Sequence, residues 1–314
     1  MSVVAKGKKT CCAVARVVRG IWKYVMRLLT RRGELERAIR RAIAYDRGGF
    51  SADLVKAIAI SLARSVQLAS LKQDLFGKKP FSAKKLARLI AKEKGMRDDA
   101  VIAILTWCLR VLSTVNSVHE RIGELQRQSF DASNPAHVAL LDSLWQSLMP
   151  DTRRTDWAPL GFQNGSKPES DLRGMGMLAL HQLVFFAQRR NREATRILAD
   201  STNPKRYFPF AAAGVNITAF TTTMLEERRL DRRIYDAVVN LMQPGDPTDS
   251  SPDEEMLVAA GLTAFNDFYG ETEYMEFSRF WHASLPESTM AFPGILGTIK
   301  QRSTSRFPPI IVDE

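Results

Sequence analysis

Between residues 13 and 29 the apolar positions Val14, Val17, Val18, Ile21, Trp22, Val25, Met26 and Leu29 recur every three or four residues. Arg16, Arg19, Lys23 and Arg27 share the opposite face. That period predicts a basic amphipathic helix with an aromatic anchor, which meets either a membrane surface or a protein core. Helical periods then follow one another along the chain. Ser51 is placed to cap a helix through LVKAIAISLARSVQLASL, and Ser82 one through KKLARLIAKEKG that ends at Gly95. Asp98 and Asp99 open a long period, VIAILTWCLRVLSTVNSVHERIGELQ, and Asn134-Pro135 opens HVALLDSLWQSLM. After a turn-rich break over 150–174, helices are predicted at MGMLALHQLVFFAQRR, NREATRILAD, PFAAAGVNITAFTTTMLEERR and DRRIYDAVVNLM. A second break ends in Ser251, Pro252 and Glu254, a capping-box pattern ahead of MLVAAGLTAFNDFYG and EYMEFSRFWHASL. The tail from Arg302 onward reads as irregular. No alternating strand run and no fixed repeat is present, so the predicted fold class is all-α.

Charge divides the chain. Residues 1–50 hold 13 basic and 3 acidic side chains, residues 51–130 hold 14 and 7, and residues 131–314 hold 18 and 24. A first half this basic is suited to an anionic surface, of which lipid fits better than nucleic acid: the basic helix is interleaved with aliphatic residues and lacks a stacking series of aromatics. No nucleic-acid partner is therefore expected. Three cysteines, two of them adjacent, fit a reducing compartment, so a cytoplasmic location is expected, peripheral on an intracellular membrane if the first helix meets lipid. Val18 and Trp22 would face that lipid, and Cys11 and Cys12 beside Lys6, Lys8 and Lys9 are candidate acylation sites. No run of about 18 uncharged apolar residues occurs, so no membrane span is expected.

Self-contained chemistry finds no support. A phosphate loop is absent, since GFQNGSK from Gly161 to Lys167 has the wrong spacing. Four histidines without HExxH spacing and three cysteines without CxxC make a zinc site unexpected. There is no GxSxG elbow.

The informative stretch is WAPLGFQNGSKPESDLRGMGMLALHQL. In it Trp157 and Phe162 read as anchors pinning a turn-rich loop, because burial is the commonest role of aromatics. Asp171 is placed to cap the following helix, and Gly174 and Gly176 clear space beside Arg173 for a second backbone. The alternative for Arg173 is an internal ion pair with Asp171 or a helix end. Gln163 and Asn216 read as structural amides, the alternatives being that Gln163 positions Arg173 or meets a partner and that Asn216 bonds a loop carbonyl.

This stretch resembles the signature of the ELMO (engulfment and cell motility) domain: Trp157, Gly161, Phe162, Gln163, Pro168, Asp171, Arg173, Gly174 and Gly176 occur in the family's order. Tyr207 to Thr218 and Phe265 to Leu296 resemble its later blocks, and Trp22 to Ile39 resembles the start of the short ELMO-domain-containing proteins. Charge and periodicity give a basic segment with the amphipathic helix over 1–50, a helical region over 51–130 and an irregular tail over 304–314, and the resemblance implies the ELMO domain over 131–303. Within the short branch it implies a GTPase-activating protein for the GTP form of an Arf or Arf-like small GTPase, with Arg173 as the catalytic finger. Trp157, Gly161, Phe162, Gln163, Asp171, Gly174 and Gly176 would then form the partner-binding surface. Such an activator has no cofactor and no catalysis of its own, since GTP and Mg²⁺ belong to the GTPase. The other reading is a non-catalytic adaptor for a small GTPase or a Rac exchange-factor assembly, with Arg173 structural. Leu172, Ala179 and His181 depart from the residues common in the family and touch the start of the expected partner-facing helix.

Overall fold

A computed structural model describes residues 33–44, 50–242 and 252–310. The amphipathic helix over 13–29, with Val18, Trp22, Cys11 and Cys12, lies outside the described residues. What is described is all-α, with no strand among the described residues. The described residues fall into two compact units, those up to 75 with 81–112, and 76–80 with those from 113 onward.

The first unit contains α1 (Glu34–Ala44), α2 (Ala52–Ala63), a 3₁₀ turn (Val66–Leu71), α3 (Lys72–Phe76, whose last residue belongs to the second unit), α4 (Ala83–Lys94) and the beginning of α5 (Asp99–Arg127). Ser51 and Ser82 cap α2 and α4 as their positions predict, accepting from the Leu54 and Lys85 amides, and Gly95 ends α4 in the left-handed region at φ +66°. Asp98 Oδ1 accepts from Ala100 and Val101 to open α5, while its Oδ2 pairs with Arg40 at 2.7 Å. The expected single helix from Ser51 to Leu71 is broken instead. It stops at Ala63, and the chain turns through Leu68 at φ −104°. The bend buries Leu68 and Leu75 while leaving Val66 88% exposed. Lys94 braces the turn by donating to Ser65 Oγ at 2.6 Å and Gln67 Oε1 at 2.8 Å. Cys108 is fully buried, and desolvation pushes its thiol far above its ordinary value, leaving it an inert core residue.

By length and composition α5 could cross a membrane, although Arg110 interrupts its uncharged run, and 61% of that stretch is buried inside the protein, as in the core helix of a packed domain.

The second unit comprises the rest of α5, α6 (Pro135–Leu148), α7 (Gly176–Arg189), α8 (Asn191–Ser201), α9 (Phe210–Glu226), α10 (Asp231–Leu241), α11 (Glu254–Asp267), α12 (Met275–Ser284) and α13 (Phe292–Arg306). Its core centres on α7, which buries residues on almost every side: Met177, Leu178, Leu180, Leu183, Val184 and Phe186 among them. Leu144, Phe208, Phe210, Tyr274, Phe277 and Trp281 pack into the same cluster. Burial of each large side chain stabilises by about 1.5–3 kcal/mol, and the aromatic contacts add to that.

Three local expectations are corrected. The cap of α11 is Asp253, which accepts the Met256 amide at 2.7 Å, and not the Ser251 pattern, whose first residue lies outside the described residues. The helices on either side of Phe268–Tyr274 are continuous through a π-helical turn, so α11 and α12 form one run without a loop. The tail expected to be irregular from Arg302 is helical to Arg306, because Ile299 and Ser303 are buried and hold α13 in place.

Candidate functional site

The loop between α6 and α7 is ordered by its own turn chemistry. Asp156 Oδ1 accepts from the Ala158 amide, and the Trp157 amide donates to Gly165 O at 2.9 Å. A 3₁₀ turn (Ala158–Leu160) then ends at Gly161, whose φ of +79° and position leave no room for a side chain: a Cβ would lie 2.2 Å from the Phe210 amide nitrogen. The Ala212 amide donates back to Gly161 O at 3.3 Å, so the loop is docked on the first turn of α9. Asn164 Oδ1 accepts from the Ser166 and Lys167 amides, and a second 3₁₀ turn, Pro168–Ser170, follows.

The aromatics pin this loop. Phe162 is 4% exposed, and Trp157 is half-buried against Trp145 and Phe162, with ring centroids 5.9 and 6.2 Å apart in edge-to-face geometry. The Arg154 guanidinium lies 4.3 Å from the Trp157 ring centre and pairs with Asp142.

Asp171 does not cap α7, whose N-cap is Met175 with no side-chain bond. Its carboxylate instead accepts the Gln163 amide at 2.6 Å, a bond across the loop. Leu172 is buried, and the chain turns so that the Gly176 amide donates to Leu172 O and the Met177 amide to Gln128 O at 2.8 Å. Gly176, at φ +53°, faces the C-terminal end of α5: a Cβ there would lie 2.5 Å from the carbonyl oxygens of Gln126 and Gln128. His137 steadies that end, its Nδ1 accepting the Asp131 amide at 2.9 Å. Gln126 and Gln128 carried no signal in the sequence, because they act through backbone carbonyls that every residue has.

Between the buried Leu172 and Gly176 the chain exposes Arg173 and Gly174. Among the described residues the Arg173 side chain makes no hydrogen bond, ion pair or ring contact, so the alternative pairing with Asp171 does not occur. A Cβ at Gly174 would meet nothing within 4 Å. Gln163 is also exposed, and Asn216 is an exposed amide that donates to Ala212 O one turn back in its own helix. The expected surface therefore separates into two groups. Trp157, Gly161, Phe162, Asp171 and Gly176 hold the loop, while Gln163, Arg173 and Gly174 face outward. Of the three departures from the family pattern, Leu172 and Ala179 are buried and only His181 is exposed. No group of three or more His, Cys, Asp or Glu able to hold a metal occurs among the described residues.

The ELMO/CED-12 family model matches residues 120–296. The chain belongs to the ELMO/CED-12 family. ELMO domain-containing protein B of Dictyostelium discoideum is 31% identical over 283 residues, covering 87% of this chain and 89% of that one. Human ELMO domain-containing protein 1 is 28% identical over 302 residues, 89% and 85% of the two chains. Mouse ELMO domain-containing protein 2 is 31% identical over 211 residues, so the match spans 65% of its length and 65% of this chain. No solved structure matches. The ELMO region thus begins within α5 and closes within α13, and the Arg173 loop lies inside it.

Proposed function

We propose that this ELMO protein is a GTPase-activating protein for an Arf or Arf-like small GTPase in its GTP form, with Arg173 as a finger supplied in trans. The observation that carries the reading is an exposed guanidinium without a partner on a backbone locked from both sides, by the Asp171–Gln163 bond and by Gly176 under the α5 carbonyls. An arginine held for an internal role would have been paired. Cleavage of GTP spreads negative charge over the γ-phosphoryl oxygens, and a planar guanidinium fork bridges two of them. Fingers of this kind accelerate hydrolysis by about 10³–10⁵-fold, roughly 4–7 kcal/mol off the barrier. The bare Gly174 lets the GTPase backbone approach beside the finger. GTP, Mg²⁺ and the attacking water belong to the GTPase.

The test is single-turnover hydrolysis by a panel of GTP-loaded Arf-family and Rac-family GTPases, with and without the full chain. Acceleration of an Arf-family member is the expected result. Tight binding to a GTPase without acceleration of any would replace this reading with the adaptor.

The same protein is proposed to work at an anionic membrane through residues 1–30. Vesicle co-sedimentation should be lost when Val18 and Trp22 are both changed to Asp. Retention of binding by that variant would assign the apolar face to a protein contact.

A further inference from the structure

Away from the Arg173 loop, the second unit has a cavity of about 340 Å³ between the end of α8, the segment that follows it, and α12. Its lining comes from Arg196 and Asp200 on α8, Asn203 and Arg206 after it, and Ser278, Arg279 and His282 on α12. Three arginines from three positions in the fold thus line one concave space. Arg196 Nη1 pairs with Asp200 at 2.8 Å. Arg279 uses its Nε on Met275 O at 3.2 Å, which leaves its two terminal nitrogens for other partners. The Arg206 side chain has no hydrogen-bond or ion-pair partner among the described residues. Desolvation holds the His282 imidazole below its ordinary range; Asp200 opposes this, while Arg206 and Arg196 reinforce it. At neutral pH the lining therefore carries three positive charges against one negative.

The backbone under these charges is held by hydrogen bonds and ring packing. Trp281 Nε1 donates to Arg206 O at 2.9 Å, the Arg206 amide donates to Asn203 O at 2.9 Å, and Phe208, wholly buried, sits edge-to-face on Phe277 at 5.2 Å. The Phe208 amide closes the segment by donating to Ser201 O at 3.1 Å. His282 lies beside the Phe208 ring, and its buried Nε2 has no hydrogen-bond partner. Holding like charges together in a concave site costs stability, and a fixed backbone spares a ligand the cost of ordering the segment. Guanidinium forks match phosphoryl oxygens in both geometry and charge.

We infer that Arg196, Arg206 and Arg279 form a binding site for a phosphoryl group, carried either by a lipid headgroup or by a free phosphorylated small molecule. The site is separate from the proposed finger, and its test does not depend on GTPase stimulation.

The full chain is titrated with inositol hexakisphosphate by calorimetry. The parent should bind, and the Arg206→Gln/Arg279→Gln double variant should bind about tenfold or more weakly, the loss of at least one charge-assisted hydrogen bond. Both side chains are exposed, and Trp281 uses only the Arg206 carbonyl, so the melting temperature should be unchanged. Asp200→Asn removes the competing carboxylate and frees Arg196, and should strengthen binding by about threefold or more. A second control replaces Arg16, Arg19, Lys23 and Arg27 by Gln, which should leave affinity for the soluble probe within about twofold of the parent. Vesicles carrying a polyphosphoinositide are then compared with charge-matched phosphatidylserine vesicles. An excess on the former that the double variant abolishes assigns the site to a lipid headgroup; soluble binding with no excess assigns it to a free ligand. Failure of the parent to bind the soluble probe, or equal binding by parent and double variant, overturns the inference.

Discussion

The carboxylate of Asp171 accepts the backbone N–H of Gln163 at 2.6 Å, tying together two positions eight residues apart in the loop that presents Arg173. The bond replaces the helix cap expected of an aspartate five residues before α7. Arg173, two residues on, makes no ion pair with that carboxylate. Asp171→Ala should lower stability by about 1 kcal/mol in urea unfolding, and Asp171→Asn, which keeps an acceptor oxygen, should recover most of it. Equal loss in both variants would mean that the charge rather than the acceptor matters.

Gly174 and Gly176 are glycines for opposite reasons. Alanine at 176 must adopt φ +53° and place its Cβ 2.5 Å from two carbonyl oxygens, so Gly176→Ala should destabilise by about 2 kcal/mol or more. Alanine at 174 meets nothing, so Gly174→Ala should stay within about 0.5 kcal/mol of the parent while weakening binding to the GTP-loaded GTPase. Thermal unfolding and a binding titration on both variants separate the roles. A destabilised Gly174→Ala would make that glycine structural.

Removing the Arg173 side chain should leave the fold untouched, since it makes no contact that the core needs. Arg173→Ala should lose nearly all stimulation of GTP hydrolysis, and Arg173→Lys most of it, because lysine keeps the charge but loses the fork. Both should bind the GTP-loaded partner within about an order of magnitude of the parent, since a finger acts mainly in the transition state. Full stimulation by Arg173→Ala at an unchanged melting temperature would remove Arg173 from the mechanism.

Glu273 in the π-helical turn titrates against the fold. It is 1% exposed; burial pushes its pKa from the ordinary 4.5 up to about 7, although Ser303 donates to its Oε1 at 2.5 Å. The folded chain keeps this proton at pH values where the unfolded chain has lost it. Stability linked to Glu273 is therefore fully present below about pH 4.5 and is lost as pH rises to about 7, by at most about 3 kcal/mol. Glu273→Gln cannot ionise, so its unfolding free energy should fall less between pH 5 and 7 than the parent's (about those two limits). Parallel pH profiles for the two proteins would show that Glu273 does not titrate in this range.

The all-α class, most helix boundaries, the caps at Ser51, Ser82 and Asn134, and the position of Arg173 were legible in the residue pattern, because each depends on local periodicity or on turn chemistry within a few residues. What was not legible depends on neighbours far away in sequence. The break after Ala63 follows from which apolar residues find cover, and α13 runs past Arg302 because Ser303 and Ile299 meet a buried surface. For Asp171 the sequence offered a helix end or Arg173, and only the folded loop brings the Gln163 amide to 2.6 Å. Two glycines look alike in sequence until α5 places its carbonyls against one and solvent surrounds the other. No motif in the sequence singles out Arg196, Arg206 and Arg279, and only packing of α12 beside the end of α8 lines one cavity with them. Local free energies decide which segments are helical, whereas the exposure and partners of a side chain depend on long-range packing, which leaves no period in the chain.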